Sequence, residues 1–311
     1  MSKILLMGEP MALLIAEEPG PLELADKFER RLAGAEVNVC IGLTRLGHQA
    51  LYLTRLGNDP FGVFVENQLK KEGISTDYII YDDVYRTGIM LKNRVLAGDP
   101  TTAYYRKGSA FSHLNENDIN QISLDGVEYI HVTGIPSALS DSCQAAAFRL
   151  IDRAKEKGIF ISCDPNLRPS LWQDKAQMKA VINKLSTKAD LVLPGIEEGL
   201  VLCGTDDPAK IADFYQNVGV KKIIVKLGPK GAYVRDNDES AVVSGFKVEK
   251  VIDTVGAGDG FAAGVLSGIA EGLSLKDAAL RGNAIGAIQV THISDNEGLP
   301  TPDELKKFMS K

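Results

Sequence analysis

Asp253-Thr254-Val255-Gly256-Ala257-Gly258-Asp259-Gly260 runs without a break into the apolar stretch Phe261–Ala270. Small residues opening a helix let backbone N–H groups approach a phosphate closely, and the positive end of the helix dipole favours negative charge. A carboxylate beside such an anion cradle is repelled by its ligand unless it has a task there. The natural task for Asp259 is to accept a proton from an attacking hydroxyl during phosphoryl transfer. The competing reading is structural: Asp259 as an early-turn acid and the glycines as packing residues. A dinucleotide site fits poorly, because Gly256-x-Gly258 is followed by Phe261 where a glycine is required and lies far from the first βα turn. No Gly-Lys dipeptide occurs, which excludes a Walker-type loop.

Working outward, apolar runs of strand length recur at Ile4–Met7, Leu51–Thr54, Tyr129–Thr133, Ile159–Cys163, Leu191–Leu193 and Ile223–Lys226. Helical patterns alternate with them: Ala35–Leu46 stops at Gly47, Pro60–Lys71 at Gly73 and Asp141–Lys157 at Gly158, each glycine suiting a C-terminal cap. This alternation predicts an α/β fold with a mostly parallel central sheet flanked by helices. The region from Gly256 to Met309 is expected to be almost wholly helical.

One region breaks the rhythm. Thr87–Val95 and Thr101–Tyr105 are short β-like runs joined by Ala97-Gly98-Asp99-Pro100, the pattern of a hairpin. With Met11–Ala16 and Phe28–Leu32 they predict a small β-sheet lid, formed by segments about 11–33 and 86–107. Without an internal repeat or linker, residues 1–311 are expected to form a single domain carrying the lid as an insertion. The lid strands present an edge or face that a second copy could cover, so a homo-oligomer through the lid is expected.

The 311 residues, with 44% hydrophobic and 24% charged, can bury a substantial core. A net charge of −6 argues against a nucleic-acid or anionic-membrane partner. Ile4–Met7 is interrupted by Gly8-Glu9-Pro10 before Met11–Ile15, too broken for a signal or membrane segment and readable as two strands and a turn. Cys40, Cys143, Cys163 and Cys203 are widely spaced, which fits a reducing, cytoplasmic location. His48, His113, His131 and His292 show no metal spacing.

Asp253-Thr-Val-Gly-Ala-Gly-Asp259 resembles the C-terminal signature of the ribokinase-like (PfkB) carbohydrate kinases, and Ala33-Gly34-Ala35-Glu36-Val37-Asn38 resembles their N-terminal Gly-Gly-x-x-x-Asn motif with alanine for the first glycine. The resemblance covers essentially the whole chain. It implies a ribokinase-like fold, Asp259 as general base, Gly256, Ala257 and Gly258 as anion hole, and ATP with Mg²⁺, leaving room for a monovalent cation. Lys226-Leu227-Gly228-Pro229-Lys230-Gly231 resembles the family's nucleotide loop, though a strand-end turn explains Gly228 and Pro229 equally well. Asn283 resembles a position beside the adenosine; a buried amide bonded to backbone is the alternative. In Leu193-Pro194-Gly195-Ile196-Glu197-Glu198, Gly195 stands where the family has asparagine. Glu198 keeps the acidic position, acting on the metal through water, or else both glutamates are early-turn acids.

Two arginines bear on the substrate. Arg106 closes the lid hairpin, and Arg168 follows a strand at its C-terminal end, where open α/β sheets bind ligands. Arginine forks match carboxylates, so the pair suggests an acidic sugar; alternatively Arg168 meets the transferring phosphate and Arg106 is a solvated charge. Tyr104-Tyr-Arg-x-Gly-Ser-Ala110 and Asp164-Pro-Asn-x-Arg-x-x-Leu-Trp172 are similar to the branch of the family acting on 2-keto-3-deoxygluconate. There Gly34, Tyr104, Arg106, Arg168, Asp259 and Asp295 would line the sugar-acid site, with Asn38 from the N-terminal motif. Asn166 and Leu167 would border the nucleotide. Met90 departs from a tyrosine found in some members. A neutral-sugar kinase such as a fructokinase, a nucleoside kinase, or a non-catalytic sugar-sensing protein on the same fold remain the alternatives.

Overall fold

The computed structural model describes residues 1–96, 100–293 and 295–310. Its strands are β1 Lys3–Met7, β2 Met11–Pro19, β3 Phe28–Ala33, β4 Gln49–Gly57, β5 Ile79–Asp82, β6 Ile89–Arg94, β7 Thr102–Tyr105, β8 Tyr129–Thr133, β9 Phe160–Asp164, β10 Leu191–Val192, β11 Lys222–Lys226, β12 Gly231–Asp236 and β13 Glu239–Ser244. Among the described residues, nine of them form the main sheet in the order β13-β12-β11-β10-β9-β8-β1-β4-β5. Every pairing from β5 to β11 is parallel, and the β11–β12–β13 edge is antiparallel.

The apolar runs are the central parallel strands because helices cover both faces. β1 shows the consequence: Ile4 and Leu6 belong to one hydrophobic cluster, while Leu5 and Met7 belong to another on the opposite face. The helices Ala35–Arg45, Pro60–Lys71 and Asp141–Glu156 stop where expected, and Gly47, Gly73 and Gly158 take left-handed backbone at φ 90°, 77° and 69°. Helices Ala257–Ala270, Leu275–Gln289 and Pro302–Met309 fill the C-terminal region.

The small sheet has the order β3-β2-β6-β7. It is mixed: β2–β3 and β6–β7 pair antiparallel, and β2–β6 pair parallel. The hairpin pairing of β6 with β7 is present, and the connection Ala97-Gly98-Asp99 lies outside the described residues. β1 and β2, adjacent in sequence, are not partners; Gly8-Glu9-Pro10 carries the chain from one sheet to the other. No described helix is long and apolar enough to cross a membrane.

Candidate active site

The strand ends deliver the polar groups to one cleft. Residues following the carboxyl ends of β1, β8, β9 and β11 face the glycine turn that opens helix Ala257–Ala270, with the lid above. Gly34, Asn38, Met90, Tyr104, Arg106, Arg168, Asp259 and Asp295 line one cavity of about 470 Å³, together with Asp164, Asn166, Glu198 and Lys226. A second, mainly apolar cavity of about 380 Å³ runs along Phe246, Val248, Val251, Phe261 and Val290 to Asn283. Lys226, Thr254 and Gly258 border both, so the two open onto each other at the glycine turn.

Asp259 lines the polar cavity, next in sequence to Gly258 of that border. Asn38 donates from Nδ2 to its Oδ2 at 2.8 Å. Although part of its surface stays open to the cavity, it lies deep in protein, and burial pushes its pKa up to about 7 against the pull of the Asn38 hydrogen bond and Arg168; Asp164 and Glu36 push it further up. Asn38, expected to bind substrate, has its amide committed on both sides: Nδ2 to Asp259 and Oδ1 to Asn296.

The glycine turn presents free backbone N–H groups, with one revision to the expected set. Ala257 N–H turns back to the Thr254 carbonyl at 3.3 Å, while the N–H groups of Gly256, Gly258 and Asp259 have no acceptor among the described residues. The free set is therefore Gly256, Gly258 and Asp259, and Ala257 contributes through its place in the turn rather than as a donor. The first glycine is required by backbone: Gly256 has φ 78°, and a Cβ there would stand 2.0 Å from the Asp295 carbonyl oxygen. At Gly258 a Cβ would meet nothing within 4 Å and would project into the cradle itself, which fits a phosphate chain.

Arg106 is not a solvated lid charge. It is buried, donating from Nε to Glu9 Oε2 at 2.7 Å, with Nη2 2.6 Å from the same oxygen, and Ser109 Oγ donates to Glu9 Oε1 at 2.5 Å. One edge of its fork is thus spent on Glu9, leaving Nη1 for a ligand. Arg168 makes no ion pair among the described residues; its Nη1 donates to the Leu167 carbonyl at 3.0 Å. Its charge reaches Asp259, Glu36 and Asp295 without a direct pair among the described residues. Asp295 is 5% exposed with Oδ1 unpartnered among the described residues; burial raises its pKa to about 6, opposed by Lys92.

The turn after β11 brings Lys226, Gly228, Pro229 and Gly231 to the apolar cavity but not Leu227 or Lys230, because the backbone bonds back on itself between Leu227 and Gly231 at 2.8 Å. Lys226 Nζ donates to Asp164 Oδ2 at 2.6 Å; burial lowers its pKa, but Asp164 and Glu198 outweigh burial and raise it. Asn283 lines the same cavity while donating to the Val243 and Ser244 carbonyls at 3.1 Å, which is the buried amide bonded to backbone that the alternative reading describes. Asn166 is held at φ 40°, with Oδ1 unpartnered among the described residues. Leu167 does not border the cavity with its side chain, which packs against Met178, Ile182 and Leu202.

Glu198 accepts from Leu167 N–H at 2.8 Å and from Gly195 N–H at 2.7 Å. Its carboxylate faces the cavity but is already bonded, and no cluster of three or more metal-ligating side chains occurs among the described residues. Such a site fits a cation arriving on phosphates with its own waters, not a protein cage.

Glu9, Glu36, Lys92 and Asn296 went unread in the sequence. Glu9 carried a usable signal, an acid between two apolar runs. Lys92, two residues from Met90 on β6, is buried and paired with Asp253 of the glycine turn at 3.0 Å.

The comparisons agree with this geometry. Residues 1–302 match the family model of the pfkB family carbohydrate kinases. The chain is 45% identical over 304 residues to a 2-dehydro-3-deoxygluconokinase of Bacillus subtilis, covering 97% of this chain and 94% of that one. It is 33% identical to the enzyme of the same name from Thermoproteus tenax, covering 99% and 94%. A solved PfkB protein from Polaromonas sp. JS666 superposes with a TM-score of 0.90 at 41% identity, covering 98% of this chain and 99% of that one. With the signature, the fold and the cleft in agreement, the chain belongs to the pfkB family of carbohydrate kinases.

Proposed function

We propose that this carbohydrate kinase transfers the γ-phosphoryl group of MgATP to the terminal hydroxyl of 2-dehydro-3-deoxygluconate, also called 2-keto-3-deoxygluconate. The observation that carries the reading is the place of Asp259, lining the polar cavity next to Gly258, which borders both cavities, and beside free backbone N–H groups. Asp259 takes the hydroxyl proton as the oxygen attacks, and the Gly256, Gly258 and Asp259 amides stabilise the charge developing on the phosphoryl oxygens. The apolar cavity accepts the adenosine, and Lys226 with Gly228 meets the phosphates. Glu198 and Asp164 are the residues that would hold the waters of a Mg²⁺ ion arriving with ATP, which would supply neutralisation of phosphate charge. Arg168, with the free edge of Arg106, receives the substrate carboxylate.

A second reading is favoured by one observation: Glu9 neutralises Arg106, so the lid side of the cavity carries less positive charge than two free arginines would. That suits a neutral sugar, and a fructokinase of Vibrio alginolyticus is 31% identical. Assaying 2-dehydro-3-deoxygluconate, gluconate and fructose with MgATP separates the two. Preference for fructose would overturn the acid assignment, and no turnover with any of them would favour a sensing role.

The lid also supports a homo-oligomer, since Tyr105, on the face of β7 opposite the cavity-lining Tyr104, stands 66% exposed. A sedimentation coefficient that stays monomeric across concentration would refute it. The reducing cytoplasm is the proposed compartment, in keeping with buried, unpaired Cys40, Cys143 and Cys163.

A further inference from the structure

Asn296 belongs to none of the motifs, yet it closes a chain of amides that ends on Asp259. Its Nδ2 donates both to the Leu32 backbone carbonyl, at 3.2 Å, and to Asn38 Oδ1, at 3.0 Å. A backbone carbonyl can only accept, so Leu32 fixes which end of the Asn296 amide faces inward. The second hydrogen of that NH₂ then requires an oxygen on Asn38, and this turns Asn38 Nδ2 toward Asp259 at 2.8 Å. With Asn38 flipped, two NH₂ groups would confront each other and a carbonyl oxygen would face the carboxylate. Asn38 is 2% exposed, so its own amide gains little from water to offset either contact.

The backbone of Asn296 is fixed independently. Arg45 Nη1 donates to the Asn296 and Leu299 carbonyls, each at 3.0 Å, and Arg45 is itself held by Glu72. The neighbouring Asp295 carbonyl packs on Gly256, so the same segment touches the anion cradle and the amide chain.

We propose that Asn296 is a positioning residue for the base: it orients the Asn38 amide so that an N–H, and never a carbonyl oxygen, faces Asp259. This rests on the reading of Asp259 as the base. A hydrogen bond to the carboxylate favours its ionised form, so losing the orientation makes the base harder to ionise. The charged groups facing Asp259 are Arg168 and Asp164 from the end of β9, Glu36 from helix Ala35–Arg45, Lys226 from the end of β11 and Asp295 across the cavity. None of these touches Asn296 by hydrogen bond.

The test is the pH dependence of kcat at saturating MgATP for wild type, Asn296→Asp and Asn296→Ala, each with Asn38 intact and in an Asn38→Ala background. Asn296→Asp offers Asn38 an acceptor and forces the flip. Its acid limb should move up by about one pH unit, about tenfold in rate on that limb, with KM for ATP unchanged. Asn296→Ala, which frees the amide without forcing it, should move the limb less. In the Asn38→Ala background neither change should move it further. An unmoved limb overturns the proposal, as does a shift that persists without Asn38, which would mark a direct charge effect. Should Asn296→Asp not fold, the cycle built on Asn296→Ala decides by the same comparison. Wild-type turnover in Asp259→Asn would sink the base assignment and the relay together; an inactive Asp259→Asn beside an unmoved limb removes the relay alone.

Discussion

Replacing Asp259 with asparagine tests both the chemistry and the electrostatics of the cleft. The substitution keeps an oxygen that can accept from Asn38 and removes only the capacity to take a proton. Turnover should fall by about 10²–10⁴, with little change in ATP affinity. The same change should stabilise the fold in a pH-dependent way. Burial raises the carboxyl from 3.8 to about 7, so the native state holds its proton where the unfolded chain has released it. The stabilisation from that retained proton is full below about pH 4 and is lost as pH rises through about 7. At about pH 8 the ionised group costs on the order of 4 kcal/mol relative to the unfolded chain, or about 2–3 once water entering the open cavity is allowed for. At about pH 5 the cost drops to roughly 1–2 kcal/mol. Denaturant melts of both proteins at these two pH values measure the difference. A stability gain that does not grow with pH, or turnover like wild type, would refute the assignment of Asp259 as a buried base with a raised pKa.

Arg106→Ala should raise KM for the sugar acid far more than for ATP, and Glu9→Gln, by freeing the fork, should lower KM for the acid relative to fructose; equal effects on the acid and on ATP in steady-state assays would count against carboxylate recognition. The two glycines of the cradle should fail differently. Gly256→Ala forces a side chain into left-handed backbone and against the Asp295 carbonyl, costing about 1–2 kcal/mol or more in a thermal melt. Gly258→Ala should leave the melt within about 1 kcal/mol but raise KM for ATP, because its Cβ enters open cradle space. Wild-type acid activity should climb through about pH 7 as Asp259 ionises, and an acid limb near pH 4 would show the base is not desolvated.

Much of this was legible along the chain. The apolar runs of β1, β4, β8, β9, β10 and β11 are continuous because those strands are covered on both faces, so their signal survives without tertiary knowledge. β5, β12 and β13 were missed for the converse reason. They lie at or next to the edges of the sheet and are stabilised by pairing with a neighbour that the local sequence does not specify. The lid strands were visible, but the parallel β2–β6 pairing that makes the sheet mixed joins segments more than seventy residues apart.

By itself the sequence determined the chemistry-bearing residue types: a glycine turn that only small residues can make, an acid within it, and arginines at strand ends. These depend on local backbone and on a short spacing, which order along the chain preserves. Only the tertiary structure decided which charges remain available. Glu9 spends one edge of the Arg106 fork, Asp164 holds Lys226, and Asn296 orients Asn38, each across a separation that no local pattern encodes. Burial and charge pairing are properties of neighbours in space, so the ionisation of Asp259 had to wait for the fold.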